Sequence, residues 1–300
     1  MLTRAPTQID CPFNSPTHLT GLAHLGSVEL PPPRRLPFCA ARFQGPPASM
    51  GSGHGPIYGS TARTRSLLSL RLTAIFLTLT VVTQPGFRPA CEAAAYFKDH
   101  YLYDPSRAFP ALSKKAREHL RRAEQSCAFD VVTRFDERMT IAGLYEELRR
   151  RRGLAGTFFD FPRIHFETVA RLDGAVFFRV RNDHEVCAMA CGFAFGDRIQ
   201  LLHIAITDAG LRQDASYCLM HSMLEFARSE RRLLCMGGLP RYGDEGLKRF
   251  KTRWSNRQEP VFLLRIVNDR AAYTELVRGR EDERYFPAYR ATGGLFRVPA

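Results

Sequence analysis

The sequence predicts a mixed α/β domain whose mostly antiparallel sheet is flanked by helices, with a disordered N-terminal segment ahead of it. Three observations carry this. AVFFRVR from Ala175, EVCAMACGFAFG from Glu185 and RIQLLHIAI from Arg198 have strand composition and are separated by the turn formers Asn182-Asp183 and Gly196-Asp197. After Asp208, Met220, Met223, Leu224 and Ala227 recur at helical spacing before the apolar run Leu233, Leu234, Cys235, Met236, and a strand–helix–strand crossover favours parallel pairing. Ten of the 19 prolines lie before residue 65, in a stretch whose only acids are Asp10 and Glu29.

In chain order, residues 1–65 include Pro31, Pro32, Pro33, Arg34 and Arg35, which favour an extended, solvated backbone that buries too little to offset its ordering entropy. This segment is expected to be disordered, residues 66–280 to form one globular domain, and residues 281–300 to be a tail without a clear element. The run LLSLRLTAIFLTLTVV from Leu67 to Val82 is interrupted by Arg71, and Leu68, Leu70 and Leu72 alternate with Ser69, Arg71 and Thr73. One or two half-buried strands fit it better than stable membrane insertion, which needs about 20 apolar residues. A start at Met50, with this run as an export signal, is the alternative.

Ser113 is placed to cap a helix whose apolar stripe is Ala116, Leu120 and Ala123 and whose remaining surface carries Lys114, Lys115, Arg117, Arg121 and Arg122. Cations in a first turn oppose the helix dipole, so Lys114 and Lys115 do not serve helix stability; anion binding and a solvated face both remain open. A second helix is expected over Arg138–Arg152, its four closing arginines forming a solvated end. Beyond the central strands come a helix over residues 244–254, the strand PVFLLRIVN from Pro260, and a helix from Asp269 to Arg278.

A net charge of +13 implies attraction to phosphates of nucleic acid, lipid surface or nucleotide without choosing among them. The eight cysteines, at 11, 39, 91, 127, 187, 191, 218 and 235, include no CxxC pair and no metal-like Cys/His cluster. Cys187 and Cys191 would share one strand face. Scattered, apolar-flanked cysteines read as reduced core thiols of a cytoplasmic protein.

The most informative stretch is LLCMGGLPRYGDEGLKRFKTRW, Leu233 to Trp254. A buried strand runs through Gly237 and Gly238, where backbone can bend or admit a ligand, into a helix that docks by Leu247, Phe250 and Trp254 and keeps Lys248, Arg249, Lys251 and Arg253 on other sides. Asp244 and Glu245 suit the positive end of that helix as capping groups. His203, on the strand face opposite Leu202, Ile204 and Ile206, is either a base or proton relay or a satisfied structural histidine.

Together these residues resemble the GNAT acyltransferases, and in detail their Fem-type or BioF2-like branch, which includes the peptidoglycan interpeptide-bridge aminoacyltransferases. LSKKAREHLRRAE (Leu112 to Glu124), LMHSMLEFA (Leu219 to Ala227) and GG followed by GDEGLKRFKTRW are similar to that branch's LSKKTRxxLRRAE, LLWEAIxWA and GGxxxGxGLxxFKxxWG. The likeness covers one GNAT-like unit, whereas the bridge enzymes have two. It implies acyl transfer to an amine on a small molecule or peptide, with acyl-CoA or aminoacyl-tRNA as co-substrate, no tightly bound cofactor and no metal. It implies Lys251 as the charge-stabilising group, with His203 as the other catalytic candidate. Lys114, Lys115, Arg117, Arg121, Arg212, Gly237, Gly238, Gly246 and Phe250 become binding candidates, the basic ones toward tRNA or nucleotide phosphates. CoA-using relatives carry Q/R-x-x-G-x-G/A where this chain reads Arg212, Gln213, Asp214, Ala215, Ser216, Tyr217, without either glycine; Ser255 and His221 also depart from the pattern. A non-catalytic nucleic-acid or anion-binding module on a decayed GNAT fold is the competing reading.

Overall fold

The structure, a computed structural model, describes residues 27–29, 42–44, 52–53, 78–89, 94–156, 159–239, 245–279 and 286–288. By its contacts the chain divides into two compact units, one built on His100–Leu239 and Gly243–Gln258 with Met1–Thr7, the other on Gln8–Asp99, Pro240–Tyr242 and Glu259–Ala300. Strands β5 (Ala94–Tyr103) and β11 (Arg257–Val267) each have residues in both units. Within the segment expected to be disordered, β1 (Ser27–Glu29), β2 (Arg42–Gln44) and β3 (Ser52–Gly53) pair in antiparallel order. The rest of residues 1–65 lies outside the described residues.

The first unit is an open sheet in the order β5, β10 (Leu233–Gly238), β9 (Arg198–Ile206), β8 (Val186–Phe195), β7 (Ala175–Arg181), β6 (Ala128–Val131). The three central strands form the expected antiparallel meander. Asn182 makes the first turn itself, its Oδ1 accepting from the backbone N–H of His184 at 2.8 Å and Glu185 at 2.7 Å. The strand after the crossover, β10, lies parallel to β9, as expected.

Helix α1 (Lys114–Ser126) buries Ala116, Leu120 and Ala123, and Ser113 Oγ accepts from the Ala116 N–H at 3.3 Å. The second expected helix is two, α2 (Phe135–Arg138) and α3 (Thr140–Arg152), followed by α4 (Arg163–Arg171), α5 (Asp208–Arg212) and α6 (Ala215–Ser229). Met220, Met223, Leu224 and Ala227 of α6 are fully buried in one core with Ala123, Phe178, Ile199 and Trp254. The last helix of this unit is α7 (Glu245–Trp254).

The close of α3 is not simply solvated. Arg149 pairs with Asp160 and with Glu146 at 2.9 Å, and Arg151 donates to Asp208 at 2.7 Å and to the Ile206 carbonyl at 2.8 Å, tying α3 to the end of β9. Nor do Cys187 and Cys191 share a face. Val180 faces Ala188 and Arg181 faces Val186, so Cys187 is bulged out of the ladder and meets Gln213 at 3.5 Å in the α6-side core, while Cys191 lies by Tyr145 of α3. Cys127, Cys187, Cys191, Cys218 and Cys235 are free thiols.

In the second unit β4 (Thr78–Val82) pairs antiparallel with Leu263–Val267 of β11, so the end of the 67–82 run is a strand. Val82, Val261 and Leu263 are buried against Ala95 and Phe97. Asp269 caps α8 (Arg270–Val277), its Oδ1 accepting from Ala272 N at 3.0 Å. Among the described residues no helix is long and apolar enough to cross a membrane.

Candidate active site

Strands β9 and β10 pair through Leu233–Arg198, Leu234–Ile199 and Cys235–Gln200, and then part. At the fork Gln200, 6% exposed, turns its amide Nε2 to the carbonyls of Leu201 at 3.0 Å and Cys235 at 3.4 Å, satisfying backbone that the ladder has left behind. On its other edge β10 carries a bulge. Cys235 faces Leu102 and Gly238 faces His100, so three steps on β10 span two on β5, and Gly237 sits at φ +70° within the bulge. A left-handed φ at that place is why the sequence has glycine there.

Lys251, nearly two turns past the start of α7, reaches back to this bulge. Its half-buried ammonium donates to the Met236 carbonyl at 2.7 Å and to the Gly238 carbonyl at 2.6 Å. An ammonium has only donors, so a lysine held by two carbonyls serves as a fixed positive charge and not as a base. Burial pushes the Cys235 thiol up, while hydrogen bonds and the Arg198 and Lys251 charges act the other way without overcoming it.

Two fixtures set where α7 stands. Trp254 is fully buried, with its ring edge-on to Tyr217 at 6.0 Å, and Phe250 packs on the same core. Just beyond, Asn256 Oδ1 accepts from Asp104 N at 2.7 Å and Asn256 Nδ2 donates to the carbonyls of Asp104 and Ala108, each at 2.9 Å. Burial opposes ionisation of Asp104, but hydrogen bonds from Ser106 Oγ at 2.6 Å and N at 3.0 Å and from Arg257 at 3.1 Å hold its carboxyl below the usual range.

The start of α6 forms a second cluster. Asp214, at φ 59°, accepts from Arg122 at 2.6 Å and lies 2.8 Å from His119 Nδ1. The Tyr217 ring stacks on His119 at 4.9 Å, and its hydroxyl accepts from Arg253 at 2.9 Å. A chain carboxylate and a fixed ring therefore stand where glycines would let a pyrophosphate approach helix N–H groups.

Of the residues singled out in the sequence, Lys251, Gly237 and Gly238 come together at the bulge. Phe250 belongs to the docking face, and Gly246 is exposed on the first turn of α7. Lys114, Lys115, Arg117 and Arg121 form an exposed face on α1, with Arg117 also donating to Leu112 O at 2.5 Å, and Arg212 is exposed at the end of α5. His203 is 7% exposed and hydrogen-bonded to fully buried His165 at 2.8 Å, away from solvent. Glu245 opens α7, and Asp244 with the rest of 240–244 lies outside the described residues. Among the described residues no cluster of three or more His, Cys, Asp or Glu could hold a metal ion. Gln200, His100, Asp214, Tyr217 and His165 were missed, and only the departure from the glycine pattern at 212–217 pointed toward any of them.

An antiparallel meander leading into a parallel pair that parts beside a bulge defines a GNAT acyltransferase fold. Residues 111–252 match the acetyltransferase (GNAT) domain family. Among solved structures the fold is similar to FemX, with a TM-score of 0.61 at 10% identity over 87% of this chain and 93% of that one. It is also similar to a domain assigned to a lysylphosphatidylglycerol synthetase of Agrobacterium fabrum, with a TM-score of 0.57 at 13% identity over 89% and 91%. A protein of unknown function from Bacteroides thetaiotaomicron gives 0.55 at 13% over 87% and 92%. At these identities the likeness is one of fold. No curated protein is similar enough in sequence to be matched.

Proposed function

We propose that this chain transfers an acyl or aminoacyl group from an activated donor to an amine on a small molecule or peptide, at the fork between β9 and β10. The observation that carries the reading is the Lys251 ammonium, fixed by the Met236 and Gly238 carbonyls beside the place where the strands part. As the amine attacks, the donor carbonyl becomes an oxyanion, the new C–N bond forms, and the C–S or C–O bond to the leaving group breaks as that group takes up a proton. A positive charge already held in place stabilises the developing anion without reorganising, which typically contributes about 2.7 to 4 kcal/mol.

Between acyl-CoA and aminoacyl-tRNA, the start of α6 favours the second. Asp214, paired with Arg122, already supplies an anion there, and Tyr217 fills the approach. The exposed Lys114, Lys115 and Arg121 on α1 suit a polyanionic donor. Those same cations also fit the competing reading of a nucleic-acid-binding module without turnover.

The test is a donor screen. Purified protein is incubated with CoA thioesters and with charged tRNAs in the presence of an amine mixture, and products are read by mass spectrometry. Acylated amine supports the proposal and identifies the donor. Salt-sensitive RNA binding without turnover of any donor supports the competing reading.

A further inference from the structure

Two thiols in the α6-side core share one acceptor. Cys127, the residue that closes α1, donates its Sγ–H to Gln213 Oε1 at 3.7 Å, and Cys187, bulged out of β8, donates to the same oxygen at 3.5 Å. Asn182 Nδ2 donates to it as well, at 3.1 Å. An amide oxygen has two lone pairs, so three donors oversubscribe it and neither thiol is firmly held. The other contacts of the two sulfurs, Cys187 to the Glu185 carbonyl and Cys127 to Ser126 Oγ, are both 3.7 Å. The thiols also act on each other: burial pushes the Cys187 thiol up, and neighbouring Cys127 pushes it further.

The two members are unlike. Cys187 is fully buried, and its backbone is pinned, since its carbonyl accepts from Thr207 N at 3.0 Å and Thr207 Oγ1 at 3.2 Å. Cys127 is half-buried, on extended backbone at the end of a helix. An oxidant arriving from solvent therefore meets Cys127 first, and Cys187, buried and protonated, reacts only with what Cys127 presents to it. Joining the two sulfurs would remove both S–H protons at once. Gln213 Oε1 would keep the Asn182 N–H, so the joined pair leaves no donor or acceptor of this cluster unmet.

We propose that Cys127 and Cys187 form a peroxide-modified pair, in which Cys127 is oxidised first and Cys187 resolves it to a disulfide. The oxidant is hydrogen peroxide. The Cys127 thiolate attacks one peroxide oxygen, the O–O bond breaks, the other oxygen leaves as water, and Cys127 becomes a sulfenic acid. The Cys187 sulfur then attacks the Cys127 sulfur; the S–O bond breaks, the hydroxyl takes the Cys187 proton and leaves as a second water, and the S–S bond forms. Two thiols are oxidised and one peroxide is reduced. A disulfide needs its sulfurs about 2 Å apart, and because Thr207 fixes the bulge, it is the end of α1 that closes. Arg122 of α1 holds Asp214, the residue after Gln213, so the bridge bears on the start of α6.

Non-reducing peptide mapping of the full chain tests this. The reduced protein is treated with a few equivalents of hydrogen peroxide at neutral pH, quenched in acid, alkylated under denaturing conditions, digested with trypsin and read by mass spectrometry. The expected product joins peptide 123–134 to peptide 182–198, two hydrogens lighter than the separate pair, and dithiothreitol releases it. Fragmentation should place the link at Cys187 and not at Cys191. Cys191 and Cys218, whose thiols burial pushes up to about 12 and about 11, should stay open to alkylation. In Cys187→Ala, Cys127 lacks its resolving partner and should gain two or three oxygens instead. Wild-type Cys127 gaining oxygens while Cys187 remains open to alkylation, a link from Cys127 to Cys218, or no reaction at peroxide levels that oxidise methionines would each overturn the proposal. These readings come from the wild type, so they decide even if the variant fails to fold.

Discussion

The Lys251 ammonium stands 3.8 Å from where a Cβ would lie on Gly237. The bulge that needs a left-handed residue is thus the bulge whose flanking carbonyls hold the lysine, at 2.7 and 2.6 Å. Backbone conformation and site charge are one construction, and each can be tested through the other.

Gly237→Ala should leave the ammonium room but strain the backbone, since a φ of +70° is costly for any side chain. A loss of about 1 to 2 kcal/mol is expected in denaturant melts, with turnover falling further than that loss explains because the two carbonyls shift. A stability change near zero would show that the bulge relaxes.

Removing the lysine exposes two kinds of cost. Lys251→Met leaves two part-buried carbonyls without their donor, so stability should fall by about 1.5 to 3 kcal/mol, more than the 0.5 kcal/mol or less of an ordinary surface change. If the charge also stabilises the oxyanion, turnover of the folded protein falls by about 100- to 1,000-fold. Paired melts and kinetics separate the two; a purely structural strap predicts activity that tracks only the folded fraction.

Trp254 is fully buried and its indole N–H has no hydrogen-bond partner among the described residues. Trp254→Ala should therefore cost about 3 to 5 kcal/mol, all of it packing, and Trp254→Phe should cost much less because no hydrogen bond is lost. Urea unfolding of both variants checks this. Similar losses for the two would mean that the indole nitrogen is engaged.

Much of the fold was legible because it is written in local periodicity. The strands from Ala175 to Ile206, the buried face Met220, Met223, Leu224, Ala227 and the Ser113 cap each repeat at the period of their element. Gly237 and Lys251 were legible as a motif. What was not legible depends on contacts between distant residues: His165 with His203, Asp104 with Asn256 across 152 residues, and Arg151 with Asp208. The Cys187 bulge reversed a face assignment because a single extra residue shifts the two-residue period of a strand.

Asp104 gives a pH test of how α7 is anchored. Its carboxyl is held below the usual range, so its contribution is fully present above the unfolded value near 4 and is lost as pH falls through the lower folded value. Asp104→Asn should be less stable than wild type by about 1.5 to 3 kcal/mol at neutral pH, with the gap closing below about pH 4. Denaturant melts at several pH values give the comparison; a gap independent of pH would mean that the charge is not what matters.

The most direct measurement of the central claim is a single-turnover assay with each CoA thioester and charged tRNA in turn, run on wild type and Lys251→Met at matched folded concentration and read as acylated amine by mass spectrometry. Product is expected from at least one donor with wild type, with at least 100-fold slower formation by the variant. Product formed equally fast by both proteins, or by neither with any donor, would contradict acyl transfer at the β9–β10 fork.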